Sequence, residues 1–177
     1  MSLKYRFQFS FLLLVLIILV TSCSGKKADL IPIGTFAKNS VTVSIYLGKT
    51  QNGNDALVAS FAPPKGFHLY SKDIPRGGVD GLGRPTLLEL TSDSQIKSAG
   101  EIIESAPAQI PDFEPKDLLV YPAGVVTLTL PVTLPTDKKW SEDEVSITYM
   151  ACSDSGCKAP VVNEVISVHI PSTNSSQ

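Results

Sequence analysis

The sequence predicts an all-β domain built as a sandwich of antiparallel sheets. From Ser40 onward, apolar residues recur with a period of two, which is the pattern of strands buried on one face. Clusters of turn-forming residues separate these segments at the spacing typical of a sandwich. The 13 prolines are spread along the chain and helical periodicity is nearly absent, so long helices and a helical bundle are disfavoured.

Seven strands are predicted. In the sixth, Val145, Ile147 and Tyr149 face one side of the sheet, whereas Ser146 and Thr148 face the other. Seven strands in one domain favour an immunoglobulin-like antiparallel β-sandwich. The segment after the fourth strand, residues 92–104, is predicted as either a short helical turn or an irregular edge strand. In chain order, the predicted strands span residues 41–47, 56–61, 67–71, 86–91, 125–134, 145–151 and 161–170.

The N-terminus has the features of an export signal. Lys4 and Arg6 precede an apolar run over residues 11–20, which is too short to cross a bilayer core that needs about 20 residues. The sequence Val20-Thr21-Ser22-Cys23 resembles the lipobox of bacterial lipoproteins, in which the cysteine receives the lipid. We therefore expect a membrane-anchored lipoprotein in the periplasm or at the cell surface, with the outer membrane favoured over the inner. An ordinary secreted protein and an uncleaved anchor are the alternatives.

These features define the predicted domain boundaries. Residues 1–22 form the signal peptide, residues 23–39 the lipidated N-terminus and tether, residues 40–171 a single domain, and residues 172–177 a polar tail. Loss of the signal peptide removes two basic residues, so 13 basic and 17 acidic side chains remain in 155 residues. A net charge of −4 disfavours a nucleic-acid partner, because phosphate binding needs a basic surface.

A glycine-rich segment over residues 77–83 superficially suggests a phosphate-binding loop. Arg84-Pro85 follows at the point where a helix N-terminus with free amides would have to begin. We therefore expect a mobile connection here, with no phosphate-binding role.

The two histidines do not form a recognisable metal site. Neither His68 nor His169 has a partner at metal-ligand spacing, so a zinc site with Cys152 and Cys157 would require distant strands to converge. His169 alternates with apolar neighbours and is expected to face solvent. The sequence contains no nucleophile elbow and no paired carboxylates outside loops, so we predict neither a hydrolase nor a metal or other cofactor.

Cys152 and Cys157 are the strongest chemical signal in the chain. They bracket a polar, glycine-containing turn that directly follows a predicted strand, so a disulfide across the turn is plausible. The chain-entropy estimate for a loop of about six residues is only ~2 kcal/mol, which a domain with its own core does not need. An extracytoplasmic location makes oxidation expected. From the residues alone, a redox-active pair and a plain structural disulfide remain equally supported.

Residues 149–160 (YMACSDSGCKAP) resemble the redox motif of the N-terminal periplasmic domain of the thiol:disulfide interchange protein DsbD. The resemblance extends to GFHLYS at 66–71, RPT at 84–86 and LTLPV at 128–132, and covers roughly residues 41–171. It implies an immunoglobulin-like domain in which Cys152 and Cys157 exchange electrons with other proteins.

The resemblance also implies partners and a cap. We expect thioredoxin-like and other periplasmic thiol-disulfide proteins as partners, and a separate membrane polypeptide as electron donor. In the family, an aromatic cap loop shields the cysteine pair and moves aside for a partner. The matching segment is Asp112-Phe113-Glu114, with Phe113 as the lid.

Residues beside the cysteines suggest unequal roles for the two thiols. Lys158 adjoins Cys157 and favours its thiolate, whereas Asp154 lies nearer in sequence to Cys152 and disfavours that one. Tyr149, at the start of the motif, is a second candidate for tuning thiol pKa values. Because the second cysteine bonds to the partner in the resembling family, we expect Cys157 to form the mixed disulfide and Cys152 to resolve it.

A rival hypothesis belongs to another class of protein. In it, the chain is a noncatalytic, lipid-anchored binding or assembly sandwich. Its disulfide only holds the hairpin, and its ligand surface is the glycine-rich loop over residues 77–83.

Overall fold

The computed structural model describes residues 31–136 and 141–171. Within these ranges, the chain forms β-strands and turns, and no helix long and apolar enough to cross a membrane is found. The predicted signal peptide, Cys23 and the polar tail lie outside the described residues. The strands are β1 (Gly34–Lys38), β2 (Val41–Lys49), β3 (Asp55–Ala62), β4 (His68–Leu69), β5 (Leu87–Leu90), β6 (Lys97–Ser98), β7 (Ile103–Glu104), β8 (Val126–Thr133), β9 (Glu142–Tyr149), β10 (Ala151–Ser153), β11 (Gly156–Cys157) and β12 (Val161–His169).

Two antiparallel sheets pack face to face, which confirms the predicted immunoglobulin-like β-sandwich. The larger sheet has the order β1-β2-β3-β8, with β6 and β7 both paired to the outer side of β8. The opposing sheet has the order β12-β9-β5. A third, smaller sheet, β11-β10-β4, is hydrogen-bonded separately from these two and contains both cysteines of the predicted site.

The core lies between the two large sheets and follows the period-two pattern of the sequence. Val41, Val43 and Ile45 of β2 are buried at alternate positions. On β9, Ile147 and Tyr149 are fully buried, and the Tyr149 ring packs edge-to-face on Phe61 at 5.9 Å between centroids. Each fully buried side chain of this size contributes about 1.5–3 kcal/mol. The main core that stabilises the domain contains neither Cys152 nor Cys157.

The domain begins earlier than predicted. Strand β1 lies within residues 23–39, the range that the sequence analysis assigned to the tether, and it pairs with β2 along its whole length. The backbone of Ile33 then links the two sheets, because its amide donates to Ile45 and its carbonyl accepts from His169, both at 2.8 Å. Residues 33–38 are therefore part of the sandwich.

The segment over residues 92–104 forms short edge strands. Strands β6 and β7 cover the edge of β8, and Ile96 is buried between them and the core. The Asp143 carboxylate holds the approach to β6, since its Oδ2 accepts the amides of Gln95 at 3.0 Å and Ile96 at 3.2 Å. Of the two predicted alternatives, the irregular edge strand is the one observed.

The predicted strand over residues 145–151 is divided in two. After Tyr149 at the end of β9, the chain leaves the β12-β9-β5 sheet, and β10 pairs instead with β4 and β11. The predicted strand at 67–71 is likewise shorter, because only His68 and Leu69 are in ladder positions. This change of sheet lifts the cysteine hairpin off the sandwich and presents it beside β4.

Candidate functional site

The β10-β11 hairpin brings the two cysteines together. Cys152 lies opposite Cys157 in the ladder, with 4.0 Å between their Cα atoms, and the two are joined by a disulfide. Ser153 and Gly156 form the next pair, and the Ser153 hydroxyl accepts the Ser155 amide at 3.3 Å. Gly156 has a φ of 134°, a conformation that a side chain would strain. The polar turn therefore closes the hairpin as its sequence predicts.

The two sulfur-bearing residues differ sharply in exposure. Cys152 is 2% exposed and packs with Tyr70, Ile74 and Leu118 in a small apolar cluster. Cys157 lies on the outer strand of the hairpin and is exposed. Cys157 is therefore the more accessible residue of the pair, and Cys152 is shielded.

Tyr70 provides the contact that matters most for the chemistry of the buried sulfur. Its hydroxyl donates to Cys152 Sγ at 3.0 Å and lies 3.9 Å from Cys157 Sγ. Burial raises the pKa of Tyr70 above its ordinary value near 10, so the phenol remains a neutral donor at physiological pH. A hydrogen bond to sulfur becomes stronger as negative charge develops there. Tyr70 is thus placed to stabilise Cys152 as a thiolate.

Tyr70 lies within the GFHLYS segment at 66–71, and no role was predicted for it. Strand alternation carried a usable signal, because it places Tyr70 on the same face as His68. The ladder partner of His68 is Cys152, which lies on the neighbouring strand β10. The alternation places Tyr70 near the sulfur only once the pairing of His68 with Cys152 is known, and the sequence does not show that pairing.

The backbone around Tyr70 is held from two sides. Its carbonyl accepts both the amide and the hydroxyl of Thr86, at 3.2 and 2.7 Å. The next amide, that of Ser71, donates to Leu119 at 2.9 Å. The ring also rests against Gly83, where an added Cβ would lie 3.3 Å from the Tyr70 ring and 2.7 Å from Leu118. Glycine at 83, with a φ of +72°, therefore lets the loop seat the ring.

The glycine-rich loop over residues 77–83 is folded, in contrast to the mobile connection that was expected. The Arg84 guanidinium lies inside the loop and donates to the carbonyls of Gly77 at 2.8 Å and Gly81 at 3.1 Å. Val79 and Leu82 exchange backbone hydrogen bonds across its tip. The loop thus uses its arginine to satisfy its own carbonyls and forms one wall beside the cysteines.

The predicted cap segment lies next to the site. Phe113 stacks on His68, with 5.9 Å between ring centroids and an interplanar angle of 26°, and is 37% exposed. Its exposed neighbours Asp112 and Glu114 complete the segment. A backbone hydrogen bond from Leu118 to Pro115 at 3.0 Å closes the loop behind them. The structure therefore brings the cap segment to the cysteine hairpin, although the ring of Phe113 covers His68 and leaves Cys157 exposed.

A cleft of about 400 Å³ opens beside the exposed cysteine. Phe113 lies on one wall and Leu82 on another, and the cleft also reaches Cys157, Tyr70 and Met150. Leu82 is itself 53% exposed, so the rim has an apolar character that suits a protein partner.

Tyr149 and Lys158, the two residues predicted to tune the thiol pKa values, have other contacts. Tyr149 faces the core, and its hydroxyl donates to the Lys38 carbonyl at 2.9 Å. The Lys158 ammonium lies over the Phe67 ring, 5.4 Å from its centroid. Tyr149 is directed to the core because it alternates with Ile147, so the tyrosine in contact with sulfur is Tyr70.

The histidines occupy different environments. His169 is exposed, as predicted, with its Nδ1 3.4 Å from Glu142 Oε1. His68 is partly buried, and its Nε2 has no hydrogen-bond partner among the described residues. In the part of the chain that the structure describes, no group of three or more His, Cys, Asp or Glu side chains could hold a metal ion.

Comparison with known proteins agrees with this arrangement. A family model described as "Thiol:disulfide interchange protein DsbD, N-terminal" matches residues 38–168, which is most of the chain. No significant match was found among curated proteins.

Replacing Tyr70 by Phe removes one oxygen atom and keeps the ring. The lost hydrogen bond has a charged sulfur as acceptor in the transition state, and such bonds contribute about 1.5–3 kcal/mol. We expect the rate constant for reduction of the disulfide by dithiothreitol at neutral pH to fall about tenfold or more, as followed by acid quenching, alkylation and mass spectrometry.

The matched control is Tyr149→Phe, which removes a tyrosine hydroxyl bonded to a backbone carbonyl and not to sulfur. Its reduction rate should equal that of the wild type. Equal rates for Tyr70→Phe and Tyr149→Phe would show that the Tyr70 contact does not influence the chemistry.

Proposed function

Because the chain belongs to the family of N-terminal domains of the thiol:disulfide interchange protein DsbD, we propose that its cysteine pair relays electrons between proteins outside the cytoplasm. This is a family of periplasmic domains that work by thiol-disulfide exchange. The donor is a membrane or thioredoxin-like protein, and the acceptors are periplasmic thiol-disulfide proteins. The observation that supports this proposal best is the asymmetry of the pair, with Cys157 exposed and Cys152 buried against the Tyr70 hydroxyl.

Electrons enter through Cys157. A donor thiolate attacks Cys157 Sγ, a new intermolecular disulfide forms, and the Cys152–Cys157 bond breaks. Cys152 leaves as a thiolate that accepts the Tyr70 hydrogen bond. The second thiolate of the donor then attacks the donor's own sulfur in the mixed disulfide and releases Cys157. The donor dithiol is oxidised to a disulfide, and the pair has gained two electrons and takes up two protons.

Electrons leave by the reverse route. The Cys157 thiolate attacks a partner disulfide and forms a mixed disulfide with one partner sulfur. Cys152 then attacks Cys157 Sγ, restores the intramolecular bond and releases the partner as a dithiol. Cys152 can do this because it lies opposite Cys157 in the ladder, within the same hairpin. Burial keeps Cys152 from reacting with other proteins, so it serves as the resolving thiol.

Asp112, Phe113 and Glu114 form the proposed cap. Phe113 lines the same cleft as Cys157, so a partner that docks in the cleft must contact or displace its ring. Leu82, which also lines the cleft and is exposed, adds an apolar side chain to the docking surface. The cap thus controls how closely a partner approaches the exposed sulfur.

We also propose that the protein is anchored at a membrane surface outside the cytoplasm. A signal peptide over residues 1–22 and a lipidated Cys23 would anchor the domain at a membrane surface, with the outer membrane favoured. Several acyl chains on one cysteine hold a protein stably where one chain would be marginal.

The reduction potential of the cysteine pair tests the relay against a structural disulfide. Thiol oxidoreductases have potentials of roughly −120 to −270 mV, whereas structural disulfides of secreted proteins lie below about −300 mV. We expect the Cys152–Cys157 couple to titrate within the first range in defined thiol buffers. A potential below about −300 mV would favour the structural rival.

Trapping tests the separate roles of the two cysteines. Cys152→Ala leaves the exposed thiol without its resolving partner, so it should accumulate a mixed disulfide with a periplasmic thioredoxin-like protein on non-reducing gels. Cys157→Ala is the matched control and should accumulate none, because its remaining thiol is buried. Equal trapping by both variants would remove the assignment of roles.

Mass spectrometry of the mature protein tests the anchor. We expect the chain to begin at Cys23 with acyl groups attached, and to partition into detergent. The variant Cys23→Ser should remain in the aqueous phase without the acyl mass. An unmodified Cys23 in the wild-type protein, or cleavage at another position, would contradict lipidation.

A further inference from the structure

His68 lies where the cap meets the disulfide hairpin. The register places it opposite Cys152 across strands β4 and β10. Its imidazole is stacked beneath Phe113 at 5.9 Å and meets the Tyr70 ring edge-on at 5.5 Å, with an interplanar angle of 90°. The ring of the cap therefore rests on a side chain that can change its charge near neutral pH.

The closed stack favours the neutral imidazole. His68 Nε2 is buried and has no hydrogen-bond partner among the described residues. A neutral imidazole can carry its proton on Nδ1 and leave Nε2 as an unprotonated acceptor, which is a tolerable state in an apolar site. The imidazolium ion carries a proton on both nitrogens, so one charged N–H would be left buried without an acceptor.

The surrounding charges do not remove this conflict. Asp154 on the hairpin and Asp112 on the cap both favour a charged imidazole, and Tyr70, which directly follows β4, is neutral. The disulfide sulfurs do not titrate. Burial outweighs both carboxylates, so the pKa of His68 lies below its ordinary value of about 6.5. Once Phe113 moves away, water reaches the ring, and Asp154 on the hairpin still favours protonation.

We propose that His68 is a proton-sensitive latch for the cap, holding Phe113 in the stack while neutral and releasing it when protonated. His68 acts here as a positioning residue, since it acts on the cysteine pair through Phe113. Acidification below about pH 6.5 would then loosen the cap and open the cleft at Cys157 to partners. The latch deepens the proposed function because it regulates the same site, and it rests on that function for its biological meaning.

Thermodynamic linkage supplies a test with a definite sign. If stacking of Phe113 disfavours protonation of His68, then protonation of His68 must disfavour stacking by the same free energy. We expect Phe113→Ala to raise the pKa of His68 in an NMR titration of the oxidised protein. His169, whose exposed Nδ1 lies 3.4 Å from Glu142 Oε1 and which takes no part in the stack, provides the internal control.

An unchanged or lowered His68 pKa in Phe113→Ala would overturn the latch. A lowered value would show that cation–π attraction between the imidazolium and Phe113 outweighs the buried N–H, so that protonation tightens the cap. The pKa of His68 is measured in the wild type and in Phe113→Ala, each oxidised and without a partner. A negative result for the latch is therefore distinct from failure of the relay, which the reduction potential and the trapping experiment test.

A second measurement observes the stack itself. In the wild type, nuclear Overhauser contacts between the rings of residues 68 and 113 should weaken about threefold or more between about pH 8 and about pH 5. The variant His68→Phe keeps a planar ring that cannot titrate, so its contacts with Phe113 should stay constant over this range. A wild-type stack that persists at the acidic end would also refute the latch.

Discussion

The hydrogen bond from the Tyr70 hydroxyl to Cys152 Sγ joins the parts of this protein on which its chemistry depends. It links Tyr70, which directly follows β4, to the hairpin that carries the disulfide, at 3.0 Å and between two residues that are only 4% and 2% exposed. Thr86 and Gly83 fix the tyrosine from the side of the glycine-rich loop, and Leu118 packs against it from the side of the cap. A displacement of any of these elements would change the distance between the donor and the sulfur.

The stability of the domain and the reactivity of its disulfide come from different parts of the molecule. The sandwich buries its core between two large sheets, with Ile45, Phe61 and Tyr149 among its fully buried side chains. The disulfide closes a loop of about six residues, for which the entropic stabilisation is only ~2 kcal/mol. Because neither cysteine belongs to this core, opening of the bond would leave the packing of the sandwich in place. Leu69 and Ala151 of the small third sheet pack into this core, whereas Cys152 lies in a separate small cluster with Tyr70, Ile74 and Leu118.

The cap connects this chemistry to the environment of the protein. Phe113 contacts His68 and lines the cleft at Cys157, so a single ring touches both the titratable group and the approach to the exposed sulfur. In the proposed latch, the Nε2 of His68, which has no hydrogen-bond partner among the described residues, would make the closed arrangement sensitive to a proton. An extracytoplasmic domain experiences the pH of its surroundings more directly than a cytoplasmic one. Coupling cap position to protonation would adjust the access of partners without changing the cysteine pair.

The sequence by itself determined the all-β class, the main strands and the cysteine hairpin. Period-two alternation and turn clusters are local properties of the sequence. A turn of four polar or small residues between two cysteines is also local, and it brings their Cα atoms close enough for a disulfide. Tertiary structure alone decided which tyrosine reaches the sulfur. Tyr70 and Tyr149 both lie in predicted strands. Tyr70 is the one that reaches the sulfur because the chain leaves the β12-β9-β5 sheet after β9, and β10 pairs with β4. Strand β1 was likewise missed, because its five residues lack a clear apolar alternation and are held by backbone pairing with β2. The folded glycine-rich loop depends on Arg84 reaching carbonyls up to seven residues away, a contact that no local pattern predicts.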